Sequence, residues 1–569
     1  MQKISKVLTI GIILAGITLL VVKYGFNLSE ESLNLLHFLT YFFSFGLAFQ
    51  FLFRFLFSQQ KKNFLEENRK ELILICFLGI ALFFLRTQLL FPNIFSSSKD
   101  TAYLFICQIF IVAFIIIKIP YFYKLFSFFH LSPPLNIVFT FLILIAIGTF
   151  LLILPFSTVP GNKTSVLNAI FTATSSTCVT GLIVLDTGSH FSIFGQTVIL
   201  ILIQIGGLGL MIFASFFALL SGNFGVKERI MLRDIVRYEN LSKMGYLVLS
   251  IISLTFVFEL IGAIFLYFQF LPATNNHLSA AYSAIFHSIS AFCNAGFSIY
   301  SNSFMNYQKN LTVNLVITSL IIIGGLGFIV IANLSRVIIS RIKKRKDSLS
   351  LHSKLVIFTT FILIGLGTLF LFVGENNTLL KDLPLGEKIL TGYFQSITAR
   401  TAGFNTIYIG SLTTFSSFFL IMLMFVGASP GSTGGGIKTS TFATLLLTIK
   451  SMIKGKDQVE IYNRTIPRSF IYQVLCVVTL ALGWIGFSTL FLSFTEKSTF
   501  LNILFEVFSA FGTVGLSRGL TPQLTNWGKI IIIVTMLAGR VGPLTLALAI
   551  AGKKTVKRYE YPEESIIIG

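Results

Sequence analysis

The chain has 569 residues, of which 54% are hydrophobic and only 11% are charged, and its mean hydropathy is +0.85. A soluble domain carries about 25% charged residues, so this composition excludes a soluble globular protein and predicts a polytopic membrane protein. The formal net charge of +21 does not indicate nucleic-acid binding, because the basic residues stand in short segments between apolar runs, where they set membrane orientation.

Four apolar runs open the chain, at about residues 7–25, 33–57, 71–92 and 101–120. Each is close to the ~20 residues that a helix needs to cross a bilayer, so residues 1–130 are predicted to form an N-terminal four-helix membrane extension. A voltage sensor needs regularly spaced arginines in one helix, whereas Arg54 and Arg86 stand alone. The extension is therefore interpreted as an accessory or packing domain.

One succession of elements then occurs four times: a long helix, a short helix, a glycine loop and a second helix. The long helices are predicted at about 135–156, 245–271, 354–374 and 470–494, and the short helices at about 165–177, 279–292, 385–398 and 499–511. The short helices cannot cross a bilayer and are interpreted as re-entrant pore helices. The predicted fold is an all-α polytopic membrane protein with four tandem helix–pore loop–helix modules around one pore.

The boundaries of the modules follow from this succession. Pore modules 1 to 4 are predicted at residues 131–225, 226–340, 341–455 and 456–555, with a cytoplasmic tail at 556–569. The linkers between modules are rich in lysine and arginine, as in 336–346, whereas the segments that flank the glycine loops carry few basic residues. By the positive-inside rule the linkers are cytoplasmic and the glycine loops open outward.

The repeated glycine loops carry the chemistry of a cation filter. Backbone carbonyls around an axis can replace the water that an ion loses, and glycine permits the backbone conformation that presents them. Close helix contacts are the alternative for a single glycine motif, but four motifs roughly 110 residues apart favour the filter. The predicted filter residues are Thr177, Cys178, Val179, Thr180, Gly181, Asn294, Ala295, Gly296, Thr401, Ala402, Gly403, Thr513, Val514 and Gly515.

The second helix of module 3 contains a segment that cannot remain helical, because glycines and a proline interrupt it. Its residues are Gly427, Ala428, Ser429, Pro430, Gly431, Ser432, Thr433, Gly434, Gly435, Gly436 and, after Ile437, Lys438. A phosphate-binding loop is excluded because Ile437 separates the last glycine from Lys438 and no strand precedes it. The segment is interpreted as a flexible plug below the filter, with a structural kink as the alternative.

Several charged residues stand in apolar surroundings. Arg540 lies deep in the last apolar helix, where an arginine costs at least ~2.5 kcal/mol unless it finds a partner, and it is grouped with the gate. Arg400 and Glu506 are candidates for a buried pair that braces the filter from behind. Asp186 and Asn294 are candidates to attract cations at the outer mouth, and Glu259 is either a structural carboxylate or part of a path for a coupling ion.

The sequence resembles the Ktr/Trk/HKT superfamily of potassium transporters, and most closely its bacterial Ktr-type membrane subunit. The resemblance covers roughly residues 130–555 and rests on the TxVTG-like first loop and on SAFCNAGFS, TARTAGFNT and SAFGTVGLS at 290–298, 398–406 and 509–517. It implies that Gly181, Gly296, Gly403 and Gly515 line one K⁺ filter, that the glycine-rich loop is the gate, and that Arg540 lies beside it. The resemblance further implies a preference for K⁺ over Na⁺, because family members that conduct mainly Na⁺ tend to carry serine at the position of Gly181.

The resemblance also implies a homodimer and a cytoplasmic nucleotide-binding regulatory ring of the RCK type. The expected function is the ion-conducting subunit of a potassium uptake system, with K⁺ as the transported ion and Na⁺ as a candidate coupling or activating ion; no cofactor is expected in this chain. A Na⁺-conducting or Na⁺/K⁺-cotransporting member of the superfamily is one alternative. An alternating-access carrier is another, and the sequence offers no clustered nucleophile, base or metal set for an enzyme.

Overall fold

The computed structural model describes residues 30–58, 60–87, 133–209, 212, 244–344, 347–456 and 458–551, together with scattered positions within 16–26 and 103–114. These residues are mostly helical. The predicted membrane spans at 7–25 and 101–120 lie for the most part outside the described residues. Most of the linker before residue 244 and the tail at 556–569 also lie outside them.

The middle of the N-terminal extension forms three helices: α1 (Glu30–Leu56), α2 (Lys61–Glu67) and α3 (Arg69–Thr87). Phe38, Phe42 and Phe49 on α1 are more than 60% exposed, as lipid-facing side chains of a spanning helix are. The guanidinium of Arg54 donates to Asn68 Oδ1 at 3.1 Å and lies 3.4 Å from Glu71 Oε2. Arg54 therefore joins the ends of two helices.

Four consecutive units follow. Unit 1 contains α4 (Pro133–Ile153), α5 (Val166–Thr177), the one-turn α6 (Thr187–His190) and α7 (Ile193–Leu208). Unit 2 contains α8 (Met244–Thr274), α9 (His277–Phe292), α10 (Leu311–Leu326) and α11 (Phe328–Ile342). Unit 3 contains α12 (Leu351–Glu375), α13 (Leu385–Thr398), α14 (Thr414–Phe425) and α15 (Thr439–Ile453). Unit 4 contains α16 (Arg468–Thr495), α17 (Phe500–Gly512), α18 (Asn526–Val541) and α19 (Pro543–Ala551).

Five described helices are long and apolar enough to cross a bilayer: Ser32–Leu56, Leu135–Ile153, Gly245–Thr274, Leu351–Glu375 and Arg468–Thr495. The last four are the long helices that begin the four units. Helices α10 and α11 meet the same criteria together but are bent by 100° at their junction. The protein is a multi-pass membrane protein, as its composition predicts.

Side-chain caps explain where the short helices begin. Ser165, Asn276 and Thr499 precede α5, α9 and α17, and each accepts a hydrogen bond from a backbone N–H of the first turn. Pro384 precedes α13, where its fixed φ suits a helix start. The short helices therefore start at their predicted positions for local reasons, to within two residues.

Two carboxylates fasten the long helices to the helices that follow the glycine loops. Glu375, at the end of α12, accepts from the backbone N–H of Thr413 at 2.9 Å, and Glu496, just after α16, accepts from that of Thr525 at 3.1 Å. Thr413 and Thr525 are themselves the caps of α14 and α18. Units 3 and 4 thus each contain a junction of the same kind, in which an acidic side chain stabilises a helix N-terminus.

A short β-hairpin departs from the expectation of an all-α fold. Strands β1 (Val459–Ile461) and β2 (Arg464–Ile466) pair antiparallel across Tyr462 and Asn463. Both turn residues have positive φ, 50° and 57°, which is the geometry of a tight hairpin turn. The hairpin lies in the basic linker between units 3 and 4, where Lys354 places its ammonium 5.5 Å from the Tyr462 ring.

Candidate functional site

The four glycines Gly181, Gly296, Gly403 and Gly515 lie side by side in a closed ring. A methyl group built on each glycine would meet the carbonyl oxygen that precedes the next: Gly181 to Ala295 at 2.4 Å, Gly296 to Ala402 at 2.4 Å, Gly403 to Val514 at 2.4 Å and Gly515 to Thr180 at 2.3 Å. The last contact returns to the first loop, so the ring follows chain order. All four glycines have φ between 69° and 90°, and any side chain here would be strained and would collide with the neighbouring loop.

The residues two positions before these glycines share a second unusual feature. Val179, Asn294, Thr401 and Thr513 all have positive φ, between 50° and 74°. A left-handed conformation costs a non-glycine residue about 1–3 kcal/mol, and for a β-branched residue it is a clear outlier. Strain that is repeated in register in four loops marks these loops as a site.

Each loop is held from behind by a serine or threonine in the last turns of its short helix. Ser175, Ser290 and Thr398 donate to the carbonyls of Leu182, Phe297 and Phe404 at 2.8, 2.8 and 2.7 Å, and Ser509 accepts from Gly515 N at 3.1 Å. These four side chains are buried. They were not among the predicted site residues, although a serine or threonine begins each of the three quoted motifs.

The apolar residue that follows each glycine anchors the loop on its far side. Leu182, Phe297, Phe404 and Leu516 are at most 1% exposed. A buried side chain here stabilises by about 1.5–3 kcal/mol and places the loop against its own unit. Each glycine is therefore held between a polar contact and an apolar anchor.

The predicted gate segment forms an ordered loop between α14 and α15. Its two ends are joined by a parallel bridge between Val426 and Ile437, in which Gly427 N donates to Ile437 O at 2.8 Å. Lys438 folds back and donates to Gly434 O at 2.7 Å, and Thr439 donates to Ser429 Oγ at 3.0 Å. Ala428 and Ser429 are buried, whereas Gly431 is exposed.

Most contacts of this gate loop are with other units. Ser429 N and Thr433 N donate to the carbonyls of Gly325 and Gly324 at 3.0 and 3.3 Å, and Phe328 N donates to Gly431 O at 3.0 Å. Gly436 N donates to Gly539 O at 3.3 Å. The broken backbone of unit 3 is thus paired with the helix ends of units 2 and 4, as buried backbone requires.

The gate loop touches the ring through two glycines. Gly435 N donates to Thr513 Oγ1 at 3.0 Å, and a methyl group built on Gly434 would lie 2.2 Å from Thr401 Oγ1. Thr401 and Thr513 are two of the four strained residues that precede the ring glycines. The loop therefore lies against residues that join the short helices to the ring glycines, and a side chain at 434 or 435 would collide with them.

Arg540 has backbone carbonyls as its partners. Its guanidinium donates to Thr433 O in the gate loop and to Gly206 O at the end of α7, and it lies 3.4 Å from Gly207 O. The side chain comes from unit 4, so it links three units at one point. A cavity of about 170 Å³ lies beside this contact, lined among others by Gly207, Phe328, Gly431, Ser432 and Arg540.

Arg400 and Glu506, the candidates for a buried pair, have different surroundings in the structure. Glu506 accepts from Ser517 Oγ at 3.0 Å and from the Thr521 hydroxyl. Arg400 is buried, and its Nε has no hydrogen-bond partner among the described residues. The salt bridges of the described residues do not include an Arg400–Glu506 pair. Glu259 lies behind the second loop, where Gln204 Nε2 donates to it at 3.2 Å and Cys293 Sγ lies 3.9 Å away.

Of the two residues predicted at the outer mouth, Asp186 is partly exposed and Asn294 is fully buried. Asp186 caps α6 and accepts from Ser301 Oγ at 3.2 Å. His190 ends this helix, and its partial burial lowers its pKa below the ordinary value, against the opposing effect of Asp186. Asn294 is fully buried, and its amide group lies 3.3 Å from Thr401 Oγ1 and next to Gly325, on the face that the gate loop covers. The expectation of an outer position for Asn294 is therefore wrong.

Comparisons with known proteins identify the family of this chain. Residues 106–558 match the family TrkH, described as a cation transport protein. The chain is 40% identical over 449 residues to the Ktr system potassium uptake protein B of Bacillus subtilis, covering 78% of this chain and 99% of the relative. It is 39% identical to the potassium/sodium uptake protein NtpJ of Enterococcus hirae, covering 77% of this chain and 98% of that relative.

The fold has a solved counterpart. The crystal structure of the potassium transporter TrkH from Vibrio parahaemolyticus superposes with a TM-score of 0.58 at 18% sequence identity, covering 84% of this chain and 97% of that one. At this identity the likeness concerns the fold alone. The family match and the high identity to curated relatives carry the classification, which is that of a transporter rather than an enzyme. The chain belongs to the TrkH family of cation transport proteins.

Proposed function

We propose that this chain is the ion-conducting membrane subunit of a potassium uptake system and that K⁺ passes through the ring of Gly181, Gly296, Gly403 and Gly515. The observation that carries the proposal is the closed ring itself. Four loops meet in chain order, with their glycines in one conformation and their preceding carbonyls between neighbouring loops. Backbone carbonyls in such an arrangement can replace the hydration shell of a cation.

The helices that precede the loops support the same function. Helices α5, α9, α13 and α17 all end at the ring, and the C-terminal end of a helix carries a partial negative charge. Four such ends at one point attract a cation. An inside-negative membrane potential supplies about 2.3 kcal/mol per elementary charge and 100 mV, which drives uptake through such a pathway.

The gate loop at 427–438 is proposed to close this pathway on its inner side. It lies against Thr401 and Thr513 directly behind the ring, and Arg540 adds a positive charge that opposes a cation there. K⁺ passes when the loop and Arg540 move aside. The cavity beside Gly431 and Ser432 offers space for this movement.

A regulatory partner is part of the proposal. The basic linkers between the units suit a cytoplasmic surface, and the predicted partner is a nucleotide-binding ring of the RCK type that docks there. A homodimer with one pathway in each subunit is proposed as the membrane assembly. The hairpin β1–β2 and the end of α15 lie on this basic linker and are candidates for the docking surface.

A second candidate function is Na⁺ conduction or Na⁺/K⁺ cotransport. The observation that favours it is the 39% identity to a relative named as a potassium/sodium uptake protein. An alternating-access carrier has less support, because the four units place equivalent loops around one ring rather than in two inverted halves.

Ion flux into proteoliposomes distinguishes these functions. The full chain is reconstituted alone, and uptake of K⁺, Rb⁺ or Na⁺ is measured under an imposed inside-negative potential. The proposal requires uptake of K⁺ and Rb⁺ well above that of Na⁺. Equal or greater Na⁺ uptake would contradict the potassium filter and support sodium conduction.

Gly181→Ser tests the ring more directly. A serine at φ 88° is strained, and its Cβ would meet Ala295 O, so one side of the ring must shift. We expect K⁺/Na⁺ discrimination to fall about tenfold or more, the equivalent of about 1.4 kcal/mol. Gly161→Ser is the matched control, because Gly161 also has positive φ, 95°, but has no atom within 4 Å of a built Cβ. An unchanged ion preference in correctly inserted Gly181→Ser would contradict the filter.

A further inference from the structure

The ring has two pairs of opposite loops. Because its contacts run from loop 1 to 2, 3, 4 and back to 1, loop 2 (around Gly296) faces loop 4 (around Gly515) across the ring. Loop 1 (around Gly181) likewise faces loop 3 (around Gly403). The polar contacts that hold the outer halves of these loops differ between the two pairs.

In loop 2 a buried histidine holds the outer half. His287 Nδ1 lies 2.8 Å from Ser283 O and therefore carries the proton, so Nε2 accepts the hydrogen bond from Ser298 Oγ at 3.0 Å. Ser298 in turn accepts from Tyr300 N at 2.9 Å. His287 is fully buried, and both of its nitrogens are occupied. Its orientation is thus fixed, and it fixes Ser298 two residues beyond Gly296.

Loop 4 contains the same arrangement with a different residue. Glu506 is fully buried and accepts from Ser517 Oγ at 3.0 Å, while Ser517 accepts from Gly519 N at 3.0 Å. Glu506 and His287 both stand nine residues before their glycine, and both serines stand two residues after it. A side chain of the short helix therefore clamps the outer half of the loop in both members of this pair.

The other pair of loops lacks an equal clamp. Thr172 stands nine residues before Gly181, but its buried hydroxyl has no partner among the described residues, and apolar Ile183 replaces the serine. In loop 3, Gln395 Nε2 donates to Thr406 Oγ1 at the longer distance of 3.4 Å, three residues after the glycine. The same clamp thus recurs across one diagonal only; on the other, loop 3 is tied instead to unit 2 at Asn405, whose N donates to Ser303 Oγ at 3.2 Å and whose O accepts from Phe304 N at 3.0 Å.

We propose that His287 and Glu506 are positioning residues that set the ion discrimination of the ring by holding loops 2 and 4 at a fixed separation through Ser298 and Ser517. A filter rejects the smaller Na⁺ when its oxygens cannot close around it. Clamped loops resist this closure, whereas released loops move inward and accept Na⁺. The inference rests on the proposed function of the ring as a cation filter.

The test removes the clamps with the smallest changes that the chain offers. Full-length Ser298→Ala/Ser517→Ala and the wild type are reconstituted in proteoliposomes, and K⁺ and Na⁺ uptake are measured separately. The K⁺/Na⁺ ratio should fall about fivefold or more, as expected for the loss of two hydrogen bonds that hold one geometry. Ser298→Thr/Ser517→Thr keeps both hydroxyls and should retain most of the wild-type ratio. Ser517→Ala alone gives the same test at smaller amplitude.

Ser411→Ala is the matched control, because it removes an exposed hydroxyl that follows loop 3, donates to Tyr408 O at 2.8 Å and takes no part in a clamp. Its ratio should equal that of the wild type. An unchanged ratio in the double alanine variant, with or without a lower total flux, would overturn the clamps while a selective wild type leaves the filter standing. A wild type without K⁺ preference would overturn both the filter and the clamps.

Discussion

The helices that follow the four glycine loops are interrupted in two different ways. Helices α7, α10 and α18 each end at one glycine with positive φ: Gly209 at 81°, Gly327 at 90° and Gly542 at 93°. In units 2 and 4 the next described helix starts at the following residue, Phe328 or Pro543. In unit 3 the helix ends at Phe425, and the next one begins only at Thr439.

The difference decides where the broken backbone finds its hydrogen bonds. A one-residue bend leaves few unpaired groups, and in unit 2 these include Gly324 O, Gly325 O and Phe328 N, which pair with the gate loop. The long break in unit 3 relies on carbonyls and hydroxyls of units 2 and 4, such as Gly325 O, Gly539 O and Thr513 Oγ1. An element that depends on its neighbours can be released when they shift, and this property suits a gate.

Among the variants that test this comparison, deletion of residues 432–434 should have the largest effect on K⁺ uptake. The deletion takes away Thr433 and Gly434, and with them the contacts to Gly324, Arg540 and Thr401. The loss of several hydrogen bonds of about 1 kcal/mol each should raise K⁺ uptake at least about tenfold. Uptake is measured in proteoliposomes at matched protein content and without any partner. Unchanged or lower uptake by a correctly inserted variant would contradict the gate.

Arg540→Gln should have a smaller effect in the same direction. The variant removes the charge and the guanidinium that joins the gate loop to the end of α7. Hydrogen bonds to charged groups contribute about 1.5–3 kcal/mol, so K⁺ uptake should rise roughly three- to tenfold if part of this favours the closed state. Arg540→Lys keeps the charge but cannot donate from two nitrogens in a fixed plane. Its K⁺ uptake should therefore lie between that of the wild type and that of Arg540→Gln. Uptake by Arg540→Gln at or below the wild-type level would show that the arginine does not hold the loop closed.

Gly542→Ala should have the smallest effect and should change stability rather than transport. An alanine at φ 93° is strained by about 1–2 kcal/mol, but no atom lies closer than 3.9 Å to its Cβ. The thermal unfolding midpoint in detergent should decrease, while K⁺ uptake per folded protein stays the same. Gly483→Ala in α16 is the control, because that glycine is helical and its Cβ would have no neighbour within 4 Å. A large rise in uptake by Gly542→Ala would show that the one-residue bends also gate.

The elements could be predicted from the sequence because their causes are local. Apolar runs, capping residues such as Ser165 and Thr499, and the glycine motifs place the long and short helices within a few residues of their observed ends. The interruption at 427–438 is equally local, because proline and clustered glycines break any helix. The cost of an arginine in an apolar helix predicts that Arg540 needs a partner, though not which one.

The site could not be assembled in the same way. Arg540 was expected to need a partner, and it binds carbonyls of Thr433 and Gly206, which are more than 100 and 300 residues away in the chain. Arg400 and Glu506 were candidates for a pair, whereas Glu506 binds Ser517 and Thr521. Asn294 was a candidate for the outer mouth, whereas it is fully buried against Thr401. The hairpin at Val459–Ile466 was not predicted, because its strands have only three residues each.

The sequence by itself determined that this is a membrane protein, where its helices begin and end, and that four glycine loops recur along it. Backbone propensity, capping and hydropathy act over a few residues, so they can be read along the chain. Only the tertiary structure decided that the loops close into one ring in chain order, that loops 2 and 4 are clamped alike, and that the gate loop lies against Thr401 and Thr513. These contacts join units that are far apart in sequence, and their partners are selected by packing among many residues of the same chemistry.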